Sequence, residues 1–286
     1  MAPLRRPGHP HLPDPARAAW RWARWGLVLG AVPALLLFAP ARWLASILHT
    51  ATGGRVLLAE ARGSVWNGSA QVVLTGGGGS RDAVSLPGRM GWRVRPAWTG
   101  VQARVTSDCC MPTPLQVHAR LRLGGVTVTV DESADNAAQQ PRQPSQLSQT
   151  SQWPAALLAG LGTPWNTLQL QGQLAFSTQG LSLEWAGGRI TMAGQARLDA
   201  LQISSRLSTL QPMGSYRITL TGGSTPTLQL QTLDGSLQLS GDGSWVGGRL
   251  QFRGEASAAA DREAALSNLL NIIGRRSGAR SIITVG

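Results

Sequence analysis

The chain has 286 residues and a formal charge of +12, because it carries 26 basic residues, all of them arginine, against 14 acidic residues. Apolar residues make up 42% of the sequence, which is enough to bury a core and excludes wholesale disorder. With 35 glycines and 17 prolines, the composition favours many short strands joined by turns over a helical bundle. Two cysteines are too few for a disulfide framework or a four-cysteine zinc site.

The N-terminal segment is the first predicted element. Residues 1–24 hold five arginines and a single acid, Asp14, and are predicted to form a basic cytoplasmic tail. Residues 25–41 carry no charge, and a helix of that length spans about 26 Å, close to the hydrocarbon thickness of a bilayer. Because the apolar pattern resumes after Arg42, whose long side chain can reach the interface, residues 25–48 are predicted to form one transmembrane anchor.

A cleaved signal peptide is the alternative for the same segment. It would use the basic region, an apolar core at 26–38 and a small-x-small site at 39–41. The uncleaved anchor is favoured because the apolar segment continues past that site. In both cases residues 44–286 are exported, and their 20 arginines and 13 acids form no dense basic patch of the kind that binds nucleic acid. A mild attraction to anionic lipid headgroups is the expected consequence of this charge.

The exported part is predicted to be mainly β and antiparallel. Seven segments alternate apolar and polar residues, which places one face in a core and the other in water. These segments are 71–75, 117–123, 126–130, 168–171, 181–183, 217–220 and 228–233. Residues 131–152, rich in Gln, Ser and Pro, have too few large apolar side chains to offset their ordering entropy, so they are predicted to form a flexible linker. The linker separates two β-rich parts, 53–130 and 153–286.

The C-terminal part repeats itself at an offset of 60 residues. The string LQLQ at 168–171 recurs at 228–231, and W-x-G-G-R at 185–189 recurs at 245–249. If the repeat is real, it predicts meander-like units that bury their faces by stacking on one another. Coincidence in a β sequence of low complexity is the alternative.

One helix is predicted in the exported part, at 261–273. Asp261 and Glu263 favour its start, and Gly274 favours its end. Apolar residues recur along one side of it: Ala265, Leu266, Leu269, Leu270 and Ile273. This side is expected to pack on the sheet, with a partner or a membrane surface as the alternative.

The sequence predicts no reaction centre. It contains no nucleophile elbow, phosphate-binding loop, dinucleotide fingerprint or zinc signature, so no catalytic residue, metal or cofactor is assigned. His118 is the only histidine in the predicted folded part, on an alternating strand, and it is interpreted as structural. Cys109 and Cys110 leave three alternatives open: two free or buried thiols, a vicinal disulfide, or a redox or intermolecular role.

Tryptophan is unusually common in the exported part, where most of these residues lie beside turns. They are Trp66, Trp92, Trp98, Trp153, Trp165, Trp185 and Trp245. A core role, in which they close the ends of the sheet, is favoured over a binding platform.

Six short blocks occur in a fixed order along the exported part. They are GSVWNGSA at 63–70, WRVRP at 92–96, SRLS at 205–208, PMGSYR at 212–217, TLDGSLQL at 232–239 and LLNIIGRR at 269–276. In this order behind a single anchor, they resemble the type II secretion system protein N (GspN) family. The resemblance covers about 45–286, and residues 131–152 depart from it as an insertion.

The resemblance implies a non-enzymatic, single-pass component of the inner membrane with a periplasmic domain, which supports export of folded proteins across the outer membrane. Its implied partners are other inner-membrane subunits of the apparatus and the lipid bilayer, with no nucleic acid, small-molecule substrate or cofactor. Trp66, Asn67 and Arg217 are predicted as surface residues that contact a partner. The alternative function is an amphipathic β-groove, facing the periplasm, that handles lipid or other apolar cargo.

Overall fold

The computed structural model describes residues 15–132 and 151–286, and the chain divides into two compact units, Met1–Ala39 and Pro40–Gly286. Most of the predicted basic tail and nearly all of the predicted linker at 131–152 lie outside the described residues.

The first unit contains helix α1, Pro15–Leu37. Many of its described side chains are large, apolar and exposed, namely Trp20, Trp25, Leu27, Leu29, Leu35 and Leu37. Within residues 15–132 and 151–286, no helix combines the length and the apolar character that crossing a membrane requires. The transmembrane span therefore stays a prediction.

The second unit begins with helix α2, Ala41–Ala51, so the predicted span at 25–48 falls on two separate helices. Ala41 is buried and packs in one cluster with Trp92 of the sheet, whereas Ile47 on the other side of the helix is exposed. One face of α2 therefore belongs to the folded β part.

Sixteen strands follow in the described part of the chain. The first seven are β1 (Val56–Gly63), β2 (Asn67–Thr75), β3 (Ala83–Ser85), β4 (Met90–Ala97), β5 (Gly100–Ser107), β6 (Met111–Arg122) and β7 (Gly125–Glu132). Next come β8 (Ser151–Pro154), a 3₁₀ helix (Ala155–Leu161) and the short helix α3 (Trp165–Leu168). The remaining elements are β9 (Gln171–Ala186), β10 (Arg189–Ser204), β11 (Gly214–Gly223), β12 (Thr227–Gly235), β13 (Leu237–Val246), β14 (Arg249–Ala258), α4 (Glu263–Ile273), β15 (Arg275–Ser277) and β16 (Arg280–Val285).

These strands form a single antiparallel sheet in the described residues. Its order is β1-β2-β4-β5-β6-β7-β9-β10-β11-β12-β13-β14-β16-β15, with β3 beside β2 and β8 beside β9. Most strands thus pair with the next one along the chain, as in a meander. The pairing of β7 with β9, for example Val128 with Leu183, joins the parts before and after the predicted linker into one ladder. The prediction of a mainly β, antiparallel fold is confirmed.

One predicted strand, at 168–171, is wrong. Leu168 ends α3, and Gln169 takes a left-handed conformation with φ of 44° before β9 begins at Gln171. Leu168 is buried, and its carbonyl accepts a 2.6 Å hydrogen bond from the hydroxyl of Ser205. This tertiary contact overrides a four-residue alternation that is too short to specify a strand.

The two halves of the predicted repeat have different outcomes. The W-x-G-G-R strings form equivalent two-residue hairpins, β9–β10 and β13–β14. In both turns the paired glycines have positive φ, 55° and 73° at Gly187 and Gly188, and 58° and 79° at Gly247 and Gly248. Glycine reaches these angles at no steric cost, and such turns match the twist of a hairpin. The LQLQ strings are not equivalent, because 228–231 lies inside β12 whereas 168–171 crosses from α3 into β9.

The main core lies on one face of the C-terminal strands, beneath α4. Leu266, Leu269 and Leu270 of α4 are fully buried there, against apolar side chains of β9 to β14. The buried hydroxyl of Ser281 donates a 2.6 Å hydrogen bond to the carbonyl of Leu270, which ties α4 to β16. The predicted helix and its packing on the sheet are confirmed, although it begins at Glu263 rather than at 261.

The 3₁₀ helix packs on the same apolar face and contacts β2, β3 and β9. Its Leu157 is buried in a cluster with Leu86 and Cys110. Since four strands separate β2 from β9 in the sheet order, the sheet must curl for both to reach one helix. Gly160 lies so close to the Leu74 carbonyl that any side chain would collide with it, which explains a glycine at this point.

Candidate interaction surfaces

The block at 63–70 forms the tight connection between β1 and β2. Gly63 has a φ of 85°, and the Ser64 amide donates a 2.9 Å hydrogen bond to the Asn67 carbonyl. Trp66 is half-buried, and its carbonyl accepts a 2.6 Å hydrogen bond from the amide of Val94 in β4. Asn67 opens β2 with an exposed side chain. Two of the predicted contact residues therefore lie together on a rigid turn.

The side chain of Trp92 in β4 holds this turn in place through hydrogen bonds to its backbone. Its buried indole donates hydrogen bonds to the carbonyls of Ser64 and Val65, at 3.2 Å and 3.1 Å. Gly68 faces the ring so closely that an added Cβ would overlap it. The W of the second block thus fixes the conformation of the first block, which explains why the two blocks occur together.

Arg217, the third predicted contact residue, lies on the polar face of β11. Its guanidinium binds Asp199 of β10 through two parallel hydrogen bonds of 2.7 Å. This hydrogen-bonded pair raises the pKa of Arg217 above its ordinary value, so its charge is permanent. Six strands separate β2 from β11 in the sheet order, so the structure does not bring Arg217 together with Trp66 and Asn67.

The neighbouring residue Tyr216 lies on the opposite, apolar face of β11 and is buried in the core. Its hydroxyl has no hydrogen-bond partner among the described residues. Burial raises the pKa of this phenol far above its ordinary value. β11 therefore separates a charged surface from a dry core within two consecutive residues.

The apolar face continues from the core into the N-terminal strands and contains a cavity. The cavity has a volume of about 430 Å³ and is lined by residues of β4, β5, β6, β8 and β9. Its lining is almost wholly apolar: Met90, Val105, Met111, Pro114, Leu115, Trp153 and Phe176, with Thr113 and Ser151. No other element of the described chain fills this space, so part of the apolar face of the sheet is open.

At the end of the sheet that carries the β4–β5, β6–β7 and β9–β10 turns, large apolar side chains are exposed. They are Trp98, Leu121, Leu123, Trp185 and Ile190, and together they are called the turn rim below. Trp98 and Leu123, at the turn tips, are fully exposed, and Trp185 is exposed as well. The predicted core role therefore does not hold for Trp98 or Trp185. Neither the two leucines nor Ile190 was predicted to form a surface, although large apolar residues near turn glycines were a visible signal in the sequence.

The described residues show little that could perform chemistry. They contain no group of three or more His, Cys, Asp or Glu side chains able to hold a metal ion. His118 lies on β6 and has an interaction partner. Cys109 and Cys110 form a vicinal disulfide in the β5–β6 turn, which selects the second of the three alternatives.

The fold and these surfaces define a class of protein, a β-sheet scaffold with one partly open apolar face. The family model for the type II secretion system (T2SS), protein N, matches residues 54–283, which extend from the start of β1 into β16. The chain belongs to this family, so the resemblance is confirmed, and membership implies a role in type II secretion. No curated protein and no solved structure matches the chain significantly.

Proposed function

We propose that this chain is a non-enzymatic, inner-membrane component of the type II secretion apparatus that supports export of folded proteins from the periplasm across the outer membrane. The family match over 54–283 carries the proposal, because it covers nearly the whole sheet and not a single motif. The scaffold-like architecture is consistent with a subunit that presents surfaces to other subunits.

The proposed topology has the N-terminus in the cytoplasm and the sheet in the periplasm. The arginine-rich residues 1–24 support this orientation, and the uncharged run at 25–41 and the exposed leucines of α1 support a membrane segment. A C-terminal alkaline phosphatase fusion should be active and a C-terminal fluorescent protein that folds only in the cytoplasm should be dark. The opposite pair of results would overturn the proposed placement.

The test of function is a clean deletion in a host with type II secretion. We expect secreted enzymes to accumulate in the periplasm, and the full chain supplied in trans should restore their release. Cytoplasmic and outer-membrane marker proteins should keep their normal distribution, which controls for general envelope damage. Unchanged secretion, measured as the enzyme activity in the medium relative to the periplasm, would contradict the proposal.

The partner-contact proposal concerns two separate surfaces, the Trp66–Asn67 turn and the polar face of β11 near Arg217. A photo-crosslinking amino acid at Asn67 samples the first, and one at Thr219, on the same face as Arg217, samples the second. The matched control is Asn271, an exposed residue of α4, which packs on the opposite face of the sheet from Arg217. Covalent adducts with other inner-membrane subunits should form at the first two positions and not at Asn271. Adducts of equal yield at all three positions would argue against both contacts.

The second candidate function is an amphipathic groove that handles lipid or other apolar cargo. The apolar cavity lined by β4, β5, β6, β8 and β9 is the observation in its favour, because about 430 Å³ is within the range of small-ligand sites. Native mass spectrometry of the full chain after gentle extraction should then show a lipid adduct. Replacing Leu115 by Trp should fill the cavity and remove the adduct, whereas an unliganded wild-type chain would exclude this function.

A further inference from the structure

Three side chains of the turn rim form one continuous row together with Val126. Leu121 pairs with Val126, Val126 pairs with Trp185, and Trp185 pairs with Ile190, so the row crosses β6, β7, β9 and β10 on one face. Leu121, Trp185 and Ile190 are 65%, 62% and 68% exposed. No element of the described chain covers this row. A contiguous apolar patch that is exposed to water is typical of a site that binds an apolar partner.

The tips of the turns extend this row outward. Trp98 and Leu123 are fully exposed, and the Leu121 amide donates a 2.8 Å hydrogen bond to the Thr99 carbonyl, which holds the first two turns side by side. Gly125 pairs with Ala186, so the β9–β10 turn lies beside the β6–β7 turn. Tryptophan and leucine at the tips of well-held turns are typical of side chains that enter a lipid interface.

The charge around the turns has one dominant sign. Within four residues of the turns at 98–99, 123–124, 187–188 and 247–248, the sequence has five arginines and one acid, Glu184. The arginines are Arg95, Arg120, Arg122, Arg189 and Arg249, and all of them are exposed. None of the five forms an ion pair with a side chain that the structure describes. This charge is complementary to an anionic surface and favours anionic phospholipid over a basic or neutral protein partner.

The path of the chain favours the same partner. The second unit begins at Pro40, which forms a β-bridge with Ser64 at the β1–β2 turn. Because Asn67 of β2 pairs with Arg93 of β4 in antiparallel fashion, this turn points toward the same end of the sheet as the turn rim. The second unit therefore begins at the end of the sheet that carries the turn rim. This position favours a membrane partner only with the anchor proposed above, whereas the exposed tips and the arginines do not depend on the anchor.

From these observations we infer that the turn rim docks on an anionic phospholipid bilayer, with Trp98 and Leu123 entering the interface and the surrounding arginines binding lipid phosphates. The rim then sets the orientation of the sheet, because a sheet held by its turns stands upright on the membrane. Its opposite end, which carries α4, faces away from the bilayer.

The test uses the full chain in lipid nanodiscs. Leu123→Cys places a fluorescent label that responds to polarity at the rim, and Ile272→Cys places it on α4, where Ile272 is also exposed at 46%. The unmodified chain measures any labelling of Cys109 and Cys110, which are bonded to each other. Nanodiscs contain phosphatidylcholine with or without phosphatidylglycerol, and a nitroxide on the lipid acyl chains quenches any label that enters the bilayer.

We expect the label at Leu123 to be quenched in discs with phosphatidylglycerol and the label at Ile272 to stay unquenched. Replacing Arg120 and Arg122 by glutamine should lower the ratio of quenched to unquenched label by about fivefold per arginine. Equal quenching at Leu123 and Ile272, or none at Leu123, would overturn the inference. Protection of the rim in cells by a crosslinked protein, with no quenching in discs, would also overturn it and identify a protein interface. Co-elution of the chain with the discs reports the anchor separately, so failure of the anchor is distinguishable from failure of the rim.

Discussion

Alkaline titration offers an unusually clean measurement of the core, because it isolates Tyr216. This residue is the only tyrosine of the chain, and the sequence has no lysine. With both cysteines in a disulfide, no other side-chain type in the chain has an ordinary pKa between about 9 and 11.5. Burial without a hydrogen-bond partner in the described residues raises the pKa of the Tyr216 phenol far above its ordinary value.

The expected loss of folding stability at high pH follows from proton linkage. In the unfolded chain the phenol is exposed and ionises at its ordinary pKa of about 10, whereas the folded chain keeps it protonated. The unfolded state therefore loses its proton first, and the stability that is fully present below pH 10 is lost as the pH rises. The loss is about 1.4 kcal/mol for each pH unit above about 10, until the native phenol also ionises or the sheet unfolds.

The assay combines tyrosinate absorbance with urea denaturation followed by circular dichroism. Wild-type protein should show no tyrosinate signal at about pH 11 while folded, and its free energy of unfolding should be about 1.4 kcal/mol lower than at about pH 9. In Tyr216→Phe that free energy should be the same at both pH values. At neutral pH this variant should be as stable as wild type or slightly more stable, since it removes an unpaired buried hydroxyl. A native tyrosinate signal with a midpoint near pH 10 and unchanged circular dichroism would refute the placement of Tyr216 in a dry core.

Three further predictions concern packing, all measured by urea denaturation. Leu269→Ala should lower the free energy of unfolding by about 2–5 kcal/mol because it leaves a cavity under α4, whereas Ile272→Ala on the exposed side should change it by less than about 0.5 kcal/mol. Trp92→Ala should lower the free energy of unfolding by about 3–5 kcal/mol, whereas Trp98→Ala should leave it nearly unchanged. In a separate measurement, Trp92→Ala should also speed amide hydrogen exchange in α2 and β1, and Trp98→Ala should not. Gly160→Ala should destabilise by more than about 1 kcal/mol through its collision with the β2 backbone. Equal losses within either matched pair, or a neutral Gly160→Ala, would contradict the packing.

Much of the fold could be predicted from the sequence, because the alternation of apolar residues and the paired glycines are local patterns. The segment at 228–233 alternates because β12 buries Leu228 and Leu230 more than Gln229 and Gln231, and that pattern is local. The paired glycines at 187–188 and 247–248 predict hairpins, because few other residues adopt the positive φ angles of these turns. The helix at 261–273 was predictable for the same reason, since its stripe of leucines is a local signal.

The remaining features depend on contacts between distant parts of the chain. The sheet curls so that β2 and β9 both contact the 3₁₀ helix. No local sequence pattern encodes this contact between distant segments. α2 appears in the sequence as a continuation of the apolar run, because the pocket that receives Ala41 exists only after β2 and β4 have paired. The separation of Trp66 from Arg217 depends on the number of strands between them, which alternation alone does not reveal.

The meander order of the sheet has a consequence for how the chain reaches its folded state. Each of β5, β6 and β7, and each strand from β10 to β14, finds its partner in the strand made just before it. Ladders can therefore close in the order in which the polypeptide emerges, from the amino end onward, without waiting for distant sequence. β4, β9 and β16 instead pass over an intervening stretch of chain to pair with β2, β7 and β14. Most strands can therefore join the edge of the sheet as soon as they emerge, so folding can proceed while the chain is delivered through a narrow channel one segment at a time.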